Sequence, residues 1–244
     1  MGRRKRFDRA TKATFLGHRA KPYVYRVNSR SWQALADDKL TSLAQLTAYL
    51  FPIARTYATF APQGDAFQGT HIGNAGRARA LLRSAEAVRV LVFNGRDGAS
   101  TIHRVVWRVP VGANMVDNFR HGRLGNMLAS VSISDGTVRR VVSGMGLEMR
   151  DVERHPDTGQ ALIGVKLPDW ARLIDVCLAA SRVWNGLRVQ GWDVALSDRG
   201  PLLMEVNFRA DFDLLQFAEG AGVLDDAWRR FMNAHRPRQE RADS

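Results

Sequence analysis

The sequence predicts an α+β fold, an antiparallel sheet with helices packed on one face, and three observations lead there. Segments rich in β-branched residues are joined by turn clusters, Asn94-Gly95-Arg96-Asp97-Gly98, Asp135-Gly136 and Asp198-Arg199-Gly200, which is hairpin chemistry. Apolar residues recur at helical spacing around Leu40–Leu50 and from Trp170 to Trp184. The 244 residues, 45% hydrophobic and 25% charged, are ordinary globular composition, enough for one large domain or two small ones.

Taken in order, residues 1–30 mix basic and small polar side chains around Tyr23-Val24-Tyr25 and read as a loosely ordered basic arm with a short strand. A helix is expected from Asp37 to Leu50, with Leu40, Leu43, Leu46 and Leu50 on one face. Pro52 ends it, Ile53 to Phe60 reads as extended, residues 61–73 as loop, and Asn74 caps a short helix through Arg83. Val88–Phe93 and Thr101–Val109 form a first hairpin. Met127 to Ser134 alternates as a half-buried strand, and Asp135-Gly136 turns it into Thr137–Val142. His155-Pro156-Asp157-Thr158-Gly159 is a turn cluster with a solvent-facing histidine. Trp170, Leu173, Ile174, Cys177, Leu178, Ser181 and Trp184 share a helix face, with Pro168 suited to the first turn. The main domain spans residues 31–235, and 236–244 is a polar, disordered tail.

Composition narrows the function. Cys177 is the only cysteine, which excludes an internal disulfide and a thiolate zinc site. Its place on an apolar stripe makes it a core residue rather than a nucleophile. No run approaches the ~20 apolar residues of a membrane helix, and no apolar stretch follows the basic start, so a cytoplasmic protein without a secretory signal is expected. The net charge of +12 favours anionic partners such as nucleotide phosphates, nucleic acid or an anionic membrane surface. A bland alternative is arginine encoded in place of lysine at solvated positions; only Lys5, Lys12, Lys21, Lys39 and Lys166 are lysines.

The segments Leu187–Leu196 and Pro201–Asn207 carry the chemistry. With Asp198-Arg199-Gly200 as a three-residue loop, Ser197 lies opposite Pro201. Trp192 then faces Val206, Val194 faces Met204 and Leu196 faces Leu202, making one face apolar. The other face sets Asp193 across from Glu205, with Asn207 two residues along. Facing carboxylates repel unless a cation or proton intervenes. Oxygen donors without His or Cys suit Mg²⁺ or Mn²⁺. A solvated acidic face is the plain alternative.

Gly191-Trp192-Asp193-Val194-Ala195-Leu196, Gly200 through Asn207, and Asp213-Leu214-Leu215-Gln216 resemble the C-terminal core of ATP-grasp proteins. The nearest family is the sugar-transfer-associated ATP-grasp group, related to α-L-glutamate ligases. Trp107-Arg108-Val109-Pro110-Val111-Gly112, Asp117-Asn118-Phe119 and His155 through Gly159 match it too, in the family's order from Val88 to Gln216, with a weaker match from Asp37 to Arg83. The resemblance implies a truncated ATP-grasp domain over 31–235. It makes Glu205 and Asn207 metal ligands, with Asp193 the neighbouring acid that contributes to metal and nucleotide binding. Arg89 and Arg108 match family arginines that neutralise phosphate charge; Asn118 and Arg209 line the same cleft.

The resemblance breaks at the lid. Family members carry a glycine-rich lid subdomain with phosphate-binding lysines between the landmarks that fall here at Arg83 and Val88. No lysine lies between Lys39 and Lys166, Lys21-Pro22 comes too early, and Gly73-Asn74-Ala75-Gly76 is too sparse. A site without its lid loses much of the positioning that drives phosphoryl transfer. Three functions compete. The first is an Mg-dependent, ATP-using carboxylate–amine ligase acting in cell-surface polysaccharide or peptide modification. The second is a catalytically degenerate remnant that binds a partner or nucleotide. The third, ranked last, is a basic nucleic-acid-binding protein, which charge alone supports.

Overall fold

Eight consecutive buried residues, Ala87–Asn94, form strand β1 inside the sheet. The computed structural model describes residues 8–53, 87–112, 126–144 and 148–235. Strand β2 is Ser100–Val109, β3 Met127–Val131, β4 Val138–Ser143, β5 Arg150–Asp151, β6 Val189–Ser197 and β7 Gly200–Asn207. They form one seven-stranded sheet in the order β5-β4-β3-β2-β1-β6-β7, and every neighbouring pair is antiparallel. The α+β class and its antiparallel sheet are therefore as expected.

Helices cover both faces rather than one. On one side Val88, Val90, Val92, Trp107 and Trp192 bury against helix α5 (Trp170–Val183), Trp184 and Leu46. On the other, Leu91, Phe93, Val106 and Leu128 bury against α6 (Phe212–Glu219) and α7 (Asp226–Ala234). Full burial of one such apolar side chain stabilises by about 1.5–3 kcal/mol. Covering both faces explains why β3 is buried along its whole length, Ser130 included, where alternation predicts a half-wet strand. Cys177 lies fully inside the first core, and burial pushes its thiol well above the ordinary range.

From Asp8 onward, the described part of the N-terminal segment is helical and packed. Arg9–Ala13 forms α1, His18–Ala20 a 3₁₀ turn and Lys21–Tyr25 α2. The expected strand at Tyr23–Tyr25 is helical because Pro22 opens a helix, Val24 buries, and Tyr25 stacks on Phe212 at 5.9 Å. Buried Gln216 holds the segment, accepting from the Leu16 backbone N–H at 2.6 Å.

The expected helix Asp37–Leu50 is α4 (Lys39–Ala48), and a separate helix α3 (Arg30–Asp37) precedes it. Asp38 breaks them with extended backbone and accepts from the Thr41 N–H at 2.9 Å as cap. The leucine stripe is not one buried face, since Leu46 is buried while Leu40 and Leu50 are 53% and 90% exposed. Leu203 then donates to the Pro52 carbonyl at 2.8 Å. The extended run beyond Ile53, the loop at 61–73, the helix at 74–83, the lid position, Asn118 and the tail lie outside the described residues.

Pro168 precedes α5 rather than sitting in its first turn, and Asp169 intervenes at φ +49°. Gly136, at φ +75°, turns β3 into β4 beneath Trp170; a β-carbon there would lie 2.7 Å from the indole ring. His155 is half-buried rather than solvent-facing, its Nε2 bonded to the Pro110 carbonyl at 2.9 Å.

The β6–β7 hairpin departs from expectation at its tip and agrees beyond it. Ser197 pairs with Gly200, so the loop is the two residues Asp198-Arg199, and Val194 pairs with Leu203, Leu196 with Pro201. A bulge then inserts Met204 as an extra residue, and Trp192–Val206 and Asp193–Glu205 pair as the sequence predicts.

Candidate functional site

Antiparallel pairing places a polar row across three strands. Arg89 on β1 pairs with Asp193 on β6, and Asp193 pairs with Glu205 on β7. Arg108 stands two residues beyond Val106, the β2 partner of Arg89, and Asn207 two residues beyond Glu205. Directly opposed residues share a face, so register alone gathers these five side chains at one end of the sheet. Leu91, Phe93, Val106 and Leu128 continue that face as apolar core.

Asp193 is the hub. It is 4% exposed, between Arg89 at 6% and Arg108 at 8%. Arg89 grips both carboxylate oxygens, Nε donating to Oδ1 and Nη2 to Oδ2 at 2.8 Å, while Arg108 Nη2 lies 3.1 Å from Oδ2. Such a bidentate fork is strong and directional. Burial alone would raise the Asp193 pKa; the two guanidinium charges outweigh it and hold it at about 2. The reciprocal effect raises Arg89 against its own burial, with Asp211 and Glu205 adding to Asp193.

Glu205 is more open. Its Oε2 is 2.6 Å from Lys39 Nζ, and its Oε1 accepts from Asn207 Nδ2 at 3.0 Å. That bond uses one N–H of the Asn207 amide and leaves its carbonyl oxygen as an acceptor. The floor needs a glycine. A β-carbon on Gly191 would lie 3.0 Å from Ala210 Cα and 3.3 Å from Arg89 Cδ, so its absence lets the turn after β7 lie against the arginine.

That turn carries more acid. Asp211 takes a left-handed conformation, φ +46°, immediately before α6. Asp213 pairs with Lys21 at 2.5 Å. Tyr25 is pushed up to about 12, first by burial and then by Asp211 and Asp213. Arg209 departs from the row, its guanidinium lying over the Phe208 ring at 5.1 Å.

The structure thus brings together Arg89, Arg108, Asp193, Glu205 and Asn207 and places Arg209 beside them. Sequence reasoning missed Lys21, Tyr25, Lys39, Asp211 and Asp213. One signal is present in the sequence: lysine occurs only five times, which singles out Lys21 and Lys39.

For a divalent cation, Glu205 and Asn207 offer adjacent hard oxygens, which fits Mg²⁺, an ion that takes few protein ligands. Asp193 is occupied by arginines, and among the described residues no group of three His, Cys, Asp or Glu could hold a metal. No helix among them is long and apolar enough to cross a membrane.

Known proteins give the following. The chain is similar to the ATP-grasp ligase PsnB complexed with a phosphomimetic variant of minimal precursor, Mg and ADP (15% identity, TM-score 0.47, 86% of this chain, 61% of that one). It is similar to an ATP-grasp superfamily protein from Archaeoglobus fulgidus (14%, TM-score 0.44, 82% and 55%). It is also similar to D-alanine–D-alanine ligase from Bacillus anthracis complexed with ATP (11%, TM-score 0.44, 85% and 69%). The chain spans less than two thirds of the first two. Among curated proteins, none matches. The sequence profile of sugar-transfer associated ATP-grasp proteins matches residues 79–229, more than half the chain. The chain belongs to the sugar-transfer-associated ATP-grasp family.

Proposed function

We propose that this chain binds Mg·ATP along the Asp193–Glu205–Asn207 row and is an ATP-dependent ligase that joins a carboxylate to an amine. The observation that carries this reading is the cross-strand pairing of Asp193 with Glu205, where Asp193 is gripped by two buried arginines. Glu205 and Asn207 would hold the metal, with Asp193 a third donor in competition with its arginines. The ion, when bound, neutralises phosphate charge and polarises the transferring group.

The chain's own residues supply the rest. Arg89 and Arg108 are fixed cations, pre-oriented by Asp193, that stabilise phosphate charge without reorganising. Lys39, which pairs with Glu205 in the structure, would be a phosphate partner once that carboxylate held a metal. In the proposed reaction a substrate carboxylate oxygen attacks the γ-phosphorus, ADP leaves, and the amine displaces phosphate from the acyl phosphate. Modification of a cell-surface polysaccharide or peptide is the proposed setting.

One observation favours a second reading, a degenerate remnant. Both carboxylates of the row are already neutralised by Arg89, Arg108 and Lys39, so the row is closed in charge without metal.

Thermal melting decides between them. At saturating Mg·ATP, about 100 times Kd, binding should add about 2.7 kcal/mol and raise Tm by roughly 5–10 °C. Glu205→Gln should abolish that shift while leaving the unliganded protein folded. A well-folded protein with neither shift nor ATP turnover refutes the ligase reading and leaves the remnant standing.

A further inference from the structure

Beside the polar row lies a cleft of about 750 Å³, lined by His18, Lys21, Arg26, Arg30, Tyr25 and Arg209 among others. That volume suits a small molecule. Among the described residues, no Asp or Glu lines it. One wall is the N-terminal segment; the other is the Phe208-Arg209 turn after β7. The walls are fixed to each other by buried Asn28. Its amide donates to the Val189 carbonyl at 3.0 Å and the Phe208 carbonyl at 3.3 Å, and its oxygen accepts from the Val189 N–H at 2.8 Å.

Aromatic faces, not carboxylates, hold the key cations. Arg26 lies over Tyr23 at 4.8 Å and Arg209 over Phe208 at 5.1 Å. A guanidinium seated on a ring is oriented yet keeps its full charge and its N–H donors for a ligand. Lys21 contrasts with them, its charge already met by Asp213. Tyr25, Phe208 and Pro22 supply an apolar side. A smaller recess shares Phe208 and Arg209 with the cleft and reaches Asn207, so an occupant would lie next to the proposed nucleotide row.

We propose that this cleft binds a small molecule bearing at least two phosphate or carboxylate groups, one meeting Arg26 and Arg30 and the other meeting Arg209. The site stands independently of nucleotide binding.

The test is titration calorimetry of the full chain in EDTA, with inorganic pyrophosphate in one arm and glutarate in the other, and acetate as the monoanion control. At least one dianion should bind at millimolar concentration or better, and the arm that binds identifies the anionic group. Arg26→Gln and Arg209→Gln should each weaken it ten-fold or more, the effect of losing a charge-assisted contact, with melting curves confirming the fold. Glu205→Gln should leave this binding unchanged, even where it removes the Mg·ATP shift. Failure of both dianions, equal binding of acetate, undiminished binding by both arginine variants, or equal loss in Glu205→Gln overturns the proposal. Should Glu205→Gln leave ATP behaviour untouched while the arginine variants lose pyrophosphate, the nucleotide reading falls and the cleft stands.

Discussion

Replacing Asp193 by Asn would unbalance the centre of the sheet. Asp193, Arg89 and Arg108 are each at most 8% exposed, so water cannot compensate for the lost carboxylate. Removing one partner of a buried ion pair costs about 3–5 kcal/mol, because the remaining charge stays buried without its counter-ion. For a chain of this length that lowers Tm by roughly 6–20 °C. Urea denaturation followed by circular dichroism gives the free energy directly. The double substitution Arg89→Met/Asp193→Leu should be less destabilising than Asp193→Asn alone, since it removes both members of the forked pair. Acid supplies a second readout. The folded pKa of about 2 lies below the ordinary 3.8. The carboxylate therefore contributes stability that is present above pH 4 and lost as pH falls towards 2, by about 2–3 kcal/mol. Asp193→Asn should lack that loss. A penalty under 1 kcal/mol, or an unchanged acid limb, would refute the buried-hub account.

Two further perturbations probe neighbouring features. Gly191→Ala should cost about 1–3 kcal/mol by overpacking, because the new β-carbon meets Ala210 Cα at 3.0 Å; a melting curve that matches wild type would show that the turn yields freely. His103 is lowered to about 4, first by burial and then by Arg104, against the pull of Asp225. The unfolded chain takes up this proton near pH 6.5 and the folded chain only near 4. Stability should thus fall by about 3 kcal/mol as pH drops through that window. His103→Phe should flatten the slope, and coincident slopes would sink the assignment.

Much of this site was legible because it depends on local pairing. The tip of the hairpin misled, since Asp198-Arg199-Gly200 reads as a three-residue loop, which shifts Val194 and Leu196 by one partner, yet Trp192–Val206 and Asp193–Glu205 pair as read. What local reasoning could not supply was the third strand. Nothing in the spacing of residues 187–207 says that β1 lies beside β6 and sets Arg89 against Asp193; only the family resemblance named that arginine. The second helical layer was hidden because Ser130 and Ser132 read as wet positions, whereas both are buried. Lys21 and Lys39 reach the site through folded distance rather than sequence order, so position along the chain disguised them.

The extra residue at Met204 has a consequence for how such a hairpin can change. With a two-residue loop and no bulge, Met204 would face Asp193, and Glu205 and Asn207 would turn towards the apolar layer. The bulge uncouples the length of the loop from the phase of the strand behind it. One residue lost near Asp198-Arg199 could be absorbed by straightening β7, with the acid–amide pair left where it is. A shortened hairpin can therefore keep Glu205 and Asn207 on the face they now share with Asp193.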